Sequence, residues 1–215
     1  MIKIFEKTGS DEKSGKLSSI EKLVNNDLAL CEKMNSLRDS ISIVKLTPNG
    51  ESELIRLLFS GLNGCVYIPR KGDNSERFDA IIDFPDYKAV VEIEIPSSAI
   101  LDAPRNLLDD YAVLKARKGE ITSNIIPLVI CWDLPNKRTD YWNVISDIKE
   151  ILGIEIKTVS IMALAVHYWI KTPLNLLDDS YYLDRSNSTM EYISELLSAV
   201  GISAEDFPGY FTPFK

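Results

Sequence analysis

The chain has 215 residues, 45% hydrophobic and 26% charged, with a formal net charge of −8 at pH 7. These values belong to a globular protein with apolar content ample for a core, and they exclude a disordered or fibrous chain. The longest apolar runs, Ile125 to Trp132 and Ile161 to Val166, are far too short to span a bilayer, so no membrane association is expected.

The stretch to about residue 17 is polar and rich in Gly, Ser and Lys, which predicts a short strand and then a loose loop. It lacks the long apolar run of a secretory signal. Cys31, Cys65 and Cys131 are far apart and show no Cys-x-x-Cys spacing, so structural thiols in a reducing cytoplasm are expected, and no zinc site. From Ser18 the pattern turns helical. Ser18 can cap, Glu21 follows three residues later, and Ile20, Leu23, Val24, Leu28 and Cys31 recur at helical spacing. This predicts an N-terminal helical extension over about 18–40, with Ile41 to Leu46 as a short strand or connector.

Pro48-Asn49-Gly50 opens a second helix with Leu54, Leu57, Leu58 and Phe59 on its apolar side, ended by Gly61 and Gly64. Cys65 to Ile68 reads as a strand, and Pro69 to Glu76 as a polar loop carrying Arg70 and Lys71. Phe78 to Phe84 and Lys88 to Ile95 are β-prone runs separated by Pro85-Asp86-Tyr87, the clearest hairpin in the chain. Pro104 opens a helix with Leu107, Leu108, Tyr111 and Leu114 inward. The nearly continuous apolar run from Ile125 suits a strand buried on both faces. A helix over Thr139 to Leu152 follows, with Trp142, Ile145, Ile148 and Ile151 inward and Gly153 as its stop. Next come a strand over Ile154 to Val159 and a helix from Ser160 to about Lys171. The tail predicts a helix over about Thr189 to Val200 and then the aromatic Phe207 to Phe214. A single α/β domain over 1–215 is expected.

The hairpin holds the residues that point to chemistry. Side chains alternate faces along a strand, so Asp79, Ile81 and Asp83 share one face, and Glu92 and Glu94 share one on the return strand. A turn centred on Pro85-Asp86 sets Asp79 opposite Glu92, with Cβ atoms about 5 Å apart. Opposed carboxylates repel, and burying them uncompensated costs several kcal/mol or raises a pKa. A hard divalent cation such as magnesium would compensate. On residue types alone a second reading stays open: the solvent face of a two-stranded ribbon, where alternating charges are routine.

The segment Arg77-Phe78-Asp79, then twelve residues, then Glu92-Ile93-Glu94 resembles the signature of the PD-(D/E)xK nuclease superfamily, which includes many type II restriction endonucleases. Asp79 matches the first acid and Glu92 the second. Glu94 stands where Lys is usual, a departure found in some restriction enzymes of the superfamily, and Phe78 replaces the Pro. The order helix, three strands, helix, strand matches the family core over about 50–170, leaving a C-terminal extension over about 175–215.

The resemblance implies a restriction-endonuclease-like mixed central sheet flanked by helices, with an added N-terminal helix and C-terminal helix. It implies Mg2+-dependent hydrolysis of DNA phosphodiester bonds, with Mn2+ as a substitute. Asp79 and Glu92 would be metal ligands and Glu94 a ligand or a water-activating acid. A further acid would come from the preceding helix: Glu51, with Glu53 a weaker choice, although a first-turn Glu also serves the helix dipole. Asp83 would replace Asp79 under a shifted register. Without the Lys, its task would fall to a second metal, to a water polarised by Glu94, or to a basic residue such as Arg105 or Lys115. Phosphate contacts are expected from Arg70, Lys71, Arg77 and Lys115, within a rim that Arg105, Arg117 and Lys118 would complete. A solvated loop explains the first three equally well. A homodimer would supply two sites for two strands.

The acidic total runs against this reading, because non-specific DNA binding rests on a basic face. Two rivals follow: a catalytically inactive member of the fold serving as a binding or assembly module, and a small-molecule hydrolase with an acidic site. Other conspicuous residues read as structure. His167, the single His, sits in the apolar Ala165-Val-His-Tyr-Trp169, which leaves a Ser-His-Asp triad little support. No Gly-rich phosphate loop is present, and Trp132, Trp142 and Trp169 lie in apolar periodic segments.

Overall fold

Five strands form one sheet in the order β1-β2-β3-β4-β5: Cys65–Tyr67 (β1), Ala80–Asp83 (β2), Lys88–Glu94 (β3), Ile125–Cys131 (β4) and Lys157–Ser160 (β5). The structure is a computed structural model and describes residues 17–69, 78–117 and 124–215. The expected strand from the N-terminal stretch lies outside the described residues. The sheet is mixed because its connections differ in length. The short turn over Phe84 to Tyr87 returns the chain antiparallel, as does the link from β1 to β2. The links from β3 to β4 and from β4 to β5 carry whole helices, α5 (Ala103–Arg117) and α6 (Tyr141–Leu152), which parallel crossovers require.

The helix α4 (Gly50–Ser60) precedes the sheet and α7 (Ile161–Ile170) follows it, so the predicted order of helix, three strands, helix, strand, helix, strand, helix is present. Alternation assigns the layers. Ile82 points toward Phe59 of α4, and α4 packs against α7. On the other face Glu92 meets α5 through Asn106, and Thr158, in register with Val129 and Glu92, bonds Tyr141 of α6. The sheet thus carries α4 and α7 on one face and α5 and α6 on the other. Every residue of β4 is buried, as a central strand covered on both sides must be.

Three expectations are corrected. The N-terminal helix splits into α1 (Ser19–Val24) and α2 (Leu30–Arg38). Ser18 and Glu21 form the expected capping box, but Asn26 then bonds the Leu23 carbonyl and takes the Leu28 N–H, competing with the helical ladder. Leu28 and Cys31 are consequently exposed. Ile41–Leu46 is not a strand or connector but the helix α3, which packs on α1 and α4 and buries Val44 while Leu46 is 84% exposed. Its β-branched residues favour a strand, yet no strand pairs with it in the sheet, and the contact with α4 overrides propensity. In α6, Trp142, Ile145 and Ile148 are buried as expected, but Ile151 is 78% exposed, because the whole last turn from Lys149 to Leu152 is left uncovered.

The helix α8 (Glu191–Ala199) and the aromatic tail return to the sheet. Ser160 donates to the Tyr210 carbonyl at 2.7 Å, the Leu134 N–H donates to Gly209 at 2.7 Å, and Phe207 and Phe211 join the same apolar core as the strands. His167 is fully buried, with Nε2 2.6 Å from the Tyr181 hydroxyl, the packed role expected of it. Among the described residues no helix is long and apolar enough to cross a membrane.

Candidate active site

The site is built on the hairpin ladder. Ala80 pairs with Val91, so continuing the register by one residue sets Asp79 opposite Glu92, and Asp83 at the other end faces Lys88. Both acids lie on the α5 face. Asp79 Oδ2 accepts the Ile93 N–H at 2.8 Å, which fixes its carboxylate across the strands. Glu92 Oε1 accepts from Asn106 Nδ2 of α5 at 3.2 Å. Glu94 is 8% exposed and turns toward the loop after β3, where its Oε2 accepts the Ala99 N–H at 3.2 Å.

Between β3 and α5 lies a recess of about 360 Å³ lined by Asp79, Glu92, Arg105, Asn106, Asp109 and Asp110. Asp110 is 5% exposed and takes a place in the inward stripe Ala103, Leu107, Asp110, Leu114, whose other members are apolar and buried. That carboxylate in a stripe of spacing four, three and four is the sequence signal that could have revealed the helical wall; Asn106, Asp109 and Asp110 were not anticipated.

The crowding shows in the protonation equilibria. Burial, then the charges of Asp79, Asp110 and Glu94, push the Glu92 carboxyl from the ordinary 4.5 up to about 7, against the opposing bond from Asn106. Asp79 stands exposed at the mouth, but the protein atoms packed around its carboxyl still raise its pKa, against the Ile93 N–H. Glu94 is raised by burial and by the charges of Asp79 and Asp102, against the Ala99 N–H. Among the described residues no three His, Cys, Asp or Glu stand gathered at metal-holding distance. The arrangement is an opposed pair with further carboxylates around it.

The remaining expected residues fall elsewhere. Glu51 and Glu53 begin α4, on the opposite face of the sheet, and neither lines the recess. Asp83 pairs with Lys88 at 3.4 Å, so the observed register leaves Asp79 as the acid opposite Glu92. Lys115 sits about 14 Å along α5 from Asn106 and lies over the Tyr111 ring at 5.9 Å. Arg70, Lys71, Arg77 and Lys118 lie outside the described residues, as does the side chain of Arg117.

A larger recess of about 930 Å³ opens at the other end of the hairpin, beside Phe84 to Tyr87. Its Tyr168 hydroxyl donates to Asn25 and its Trp169 Nε1 to the Val24 carbonyl, so these polar groups serve the helix packing, and the clustered acids belong to the smaller recess.

No protein-family model matches the chain, and no curated protein matches it significantly. Among solved structures it is similar to the small subunit of the heterodimeric restriction endonuclease R.BspD6I, with TM-score 0.47 and 12% identity over 78% of this chain and 97% of that one. It is also similar to the restriction endonuclease FokI, with TM-score 0.44 and 13% identity over 71% of this chain and 32% of that one.

Proposed function

We propose that this chain is a metal-dependent nuclease hydrolysing DNA phosphodiester bonds, of restriction-endonuclease-like architecture, with Asp79 and Glu92 as ligands of a divalent cation. The observation that carries the reading is the pair itself: two carboxylates opposed across a ladder, one with its pKa at about 7. At neutral pH Glu92 keeps part of its proton because burial, and then the charge of Asp79, disfavour its ionised form, and a cation would take the proton's place. Apart from Arg105, the side chains lining the recess offer carboxylate and amide oxygens, which suit Mg2+, with Mn2+ as substitute. When bound, such an ion supplies Lewis-acid chemistry, polarising a phosphoryl oxygen and activating water.

The chain's own groups supply orientation and charge. The Ile93 N–H holds Asp79, and Asn106 holds one oxygen of Glu92, leaving its second oxygen for the recess. Glu94, with Oε2 bonded to Ala99, acts on the pair through its charge and retains Oε1 as ligand or proton acceptor. A homodimer would place two such sites on a duplex.

The test is Glu92→Gln, which keeps shape but removes charge. Wild type should gain thermal stability from magnesium or manganese and nick plasmid DNA; the variant should stay folded and lose both responses. Equal metal-induced shifts in the two proteins would remove Glu92 from the site. A second reading, an inactive nuclease-fold module for binding or assembly, is favoured by one observation: no three-ligand group is preassembled among the described residues. A wild type that neither responds to metal nor cuts any DNA would select it.

A further inference from the structure

We infer that Arg105 is the phosphate-binding residue of the acid recess; this rests on the nuclease reading. Among the described residues lining the recess, Arg105 is the one cation beside four carboxylates, those of Asp79, Glu92, Asp109 and Asp110. A phosphodiester approaching those acids meets repulsion unless a donor at the mouth offsets it. A guanidinium offers a planar fork that grips two phosphate oxygens at once.

The present contacts of Arg105 are weak. Its Nη2 is 3.5 Å from Asp140 of the α6 entrance, its Nη1 is 3.9 Å from Asp102 and 3.4 Å from the Leu101 carbonyl, and its side chain is 56% exposed. Exposed ion pairs of that length contribute little to stability, so re-aiming the side chain from Asp140 to a phosphate costs little. Arg105 also precedes Asn106, the residue that orients Glu92, so one turn of α5 carries both the anion contact and the acid's anchor.

The competing role is a tether between α5 and α6, and Asp140 separates the two. Wild type, Arg105→Gln, Arg105→Lys, Asp140→Asn and Glu92→Gln would be compared as full-length chains by manganese-induced thermal shift. The same set would be assayed for magnesium-dependent nicking of plasmid DNA and for binding of a fluorescein-labelled duplex in calcium across a salt series. Arg105→Gln should keep the manganese shift, lose about a hundredfold in cleavage, and lower the salt slope of binding by about one. Arg105→Lys should retain an intermediate rate, and Asp140→Asn should cut like wild type. Arg105→Gln cutting at the wild-type rate while Glu92→Gln is inactive would overturn the assignment and leave the nuclease reading standing. Equal losses in Arg105→Gln and Asp140→Asn would make the residue a tether and overturn it too. A wild type with neither manganese shift nor cleavage would sink the nuclease reading and this assignment together.

Discussion

Glu92 has a consequence for folding that is independent of catalysis. Its carboxyl is raised from 4.5 to about 7 in the folded chain, so between those values the native state holds a proton that the unfolded state has released. Its contribution to stability is therefore fully present below pH 4.5 and is lost as pH rises through about 7. In metal-free protein Glu92→Gln should remove that loss and gain about 1–2 kcal/mol over wild type at pH 8, a figure discounted for the residual exposure of the site. Denaturant melts in chelator at pH 5 and pH 8 measure it. A wild-type pH slope unchanged by the substitution would mean that burial and the neighbouring acids do not hold the Glu92 carboxyl above its ordinary value. Asn106 and Asp110 belong to the same account, since one lowers and the other raises the Glu92 pKa.

At the scale of the element, the junction between α3 and α4 explains why Ile41–Leu46 is helical. A Cβ on Gly50 would run into the Val44 carbonyl, so the two helices approach at backbone distance, which only glycine permits. Gly50→Ala should lower stability by about 1–3 kcal/mol in urea melts, because backbone rather than a flexible side chain must give way. A neutral result would show that the approach relaxes freely. In α5 the inward stripe Ala103, Leu107, Leu114 is interrupted by Asp110, whose buried side chain lines the acid recess.

Across the whole molecule the net charge of −8 sets a condition on DNA binding. Attraction must come from a local group of cations overcoming a repulsive total, and the affinity should fall steeply with salt. Three phosphate contacts would lower it about fortyfold over a fourfold rise in salt. Titration of labelled duplex in calcium reads this. Binding that shows no salt dependence, or none detectable at low salt, would end the nucleic-acid reading.

Much of this architecture follows from local pattern. Alternation around Pro85-Asp86 determined the hairpin, its register and hence the meeting of Asp79 with Glu92, since a strand's period of two leaves no other face for both acids. The continuous apolar run from Ile125 determined a strand covered on both sides, and the capping box at Ser18 determined a helix start. What followed from distant contacts was decided only by the tertiary structure. Ile41–Leu46 became helical by packing on α4, and Ile151 became exposed because no other segment among the described residues covers the last turn of α6. Asn106, Asp110 and Arg105 reached the acids because the crossover laid α5 along β3. The strands alone determine which carboxylates oppose one another; how closely a helix covers them, and with which side chains, depends on packing between segments that no local spacing encodes.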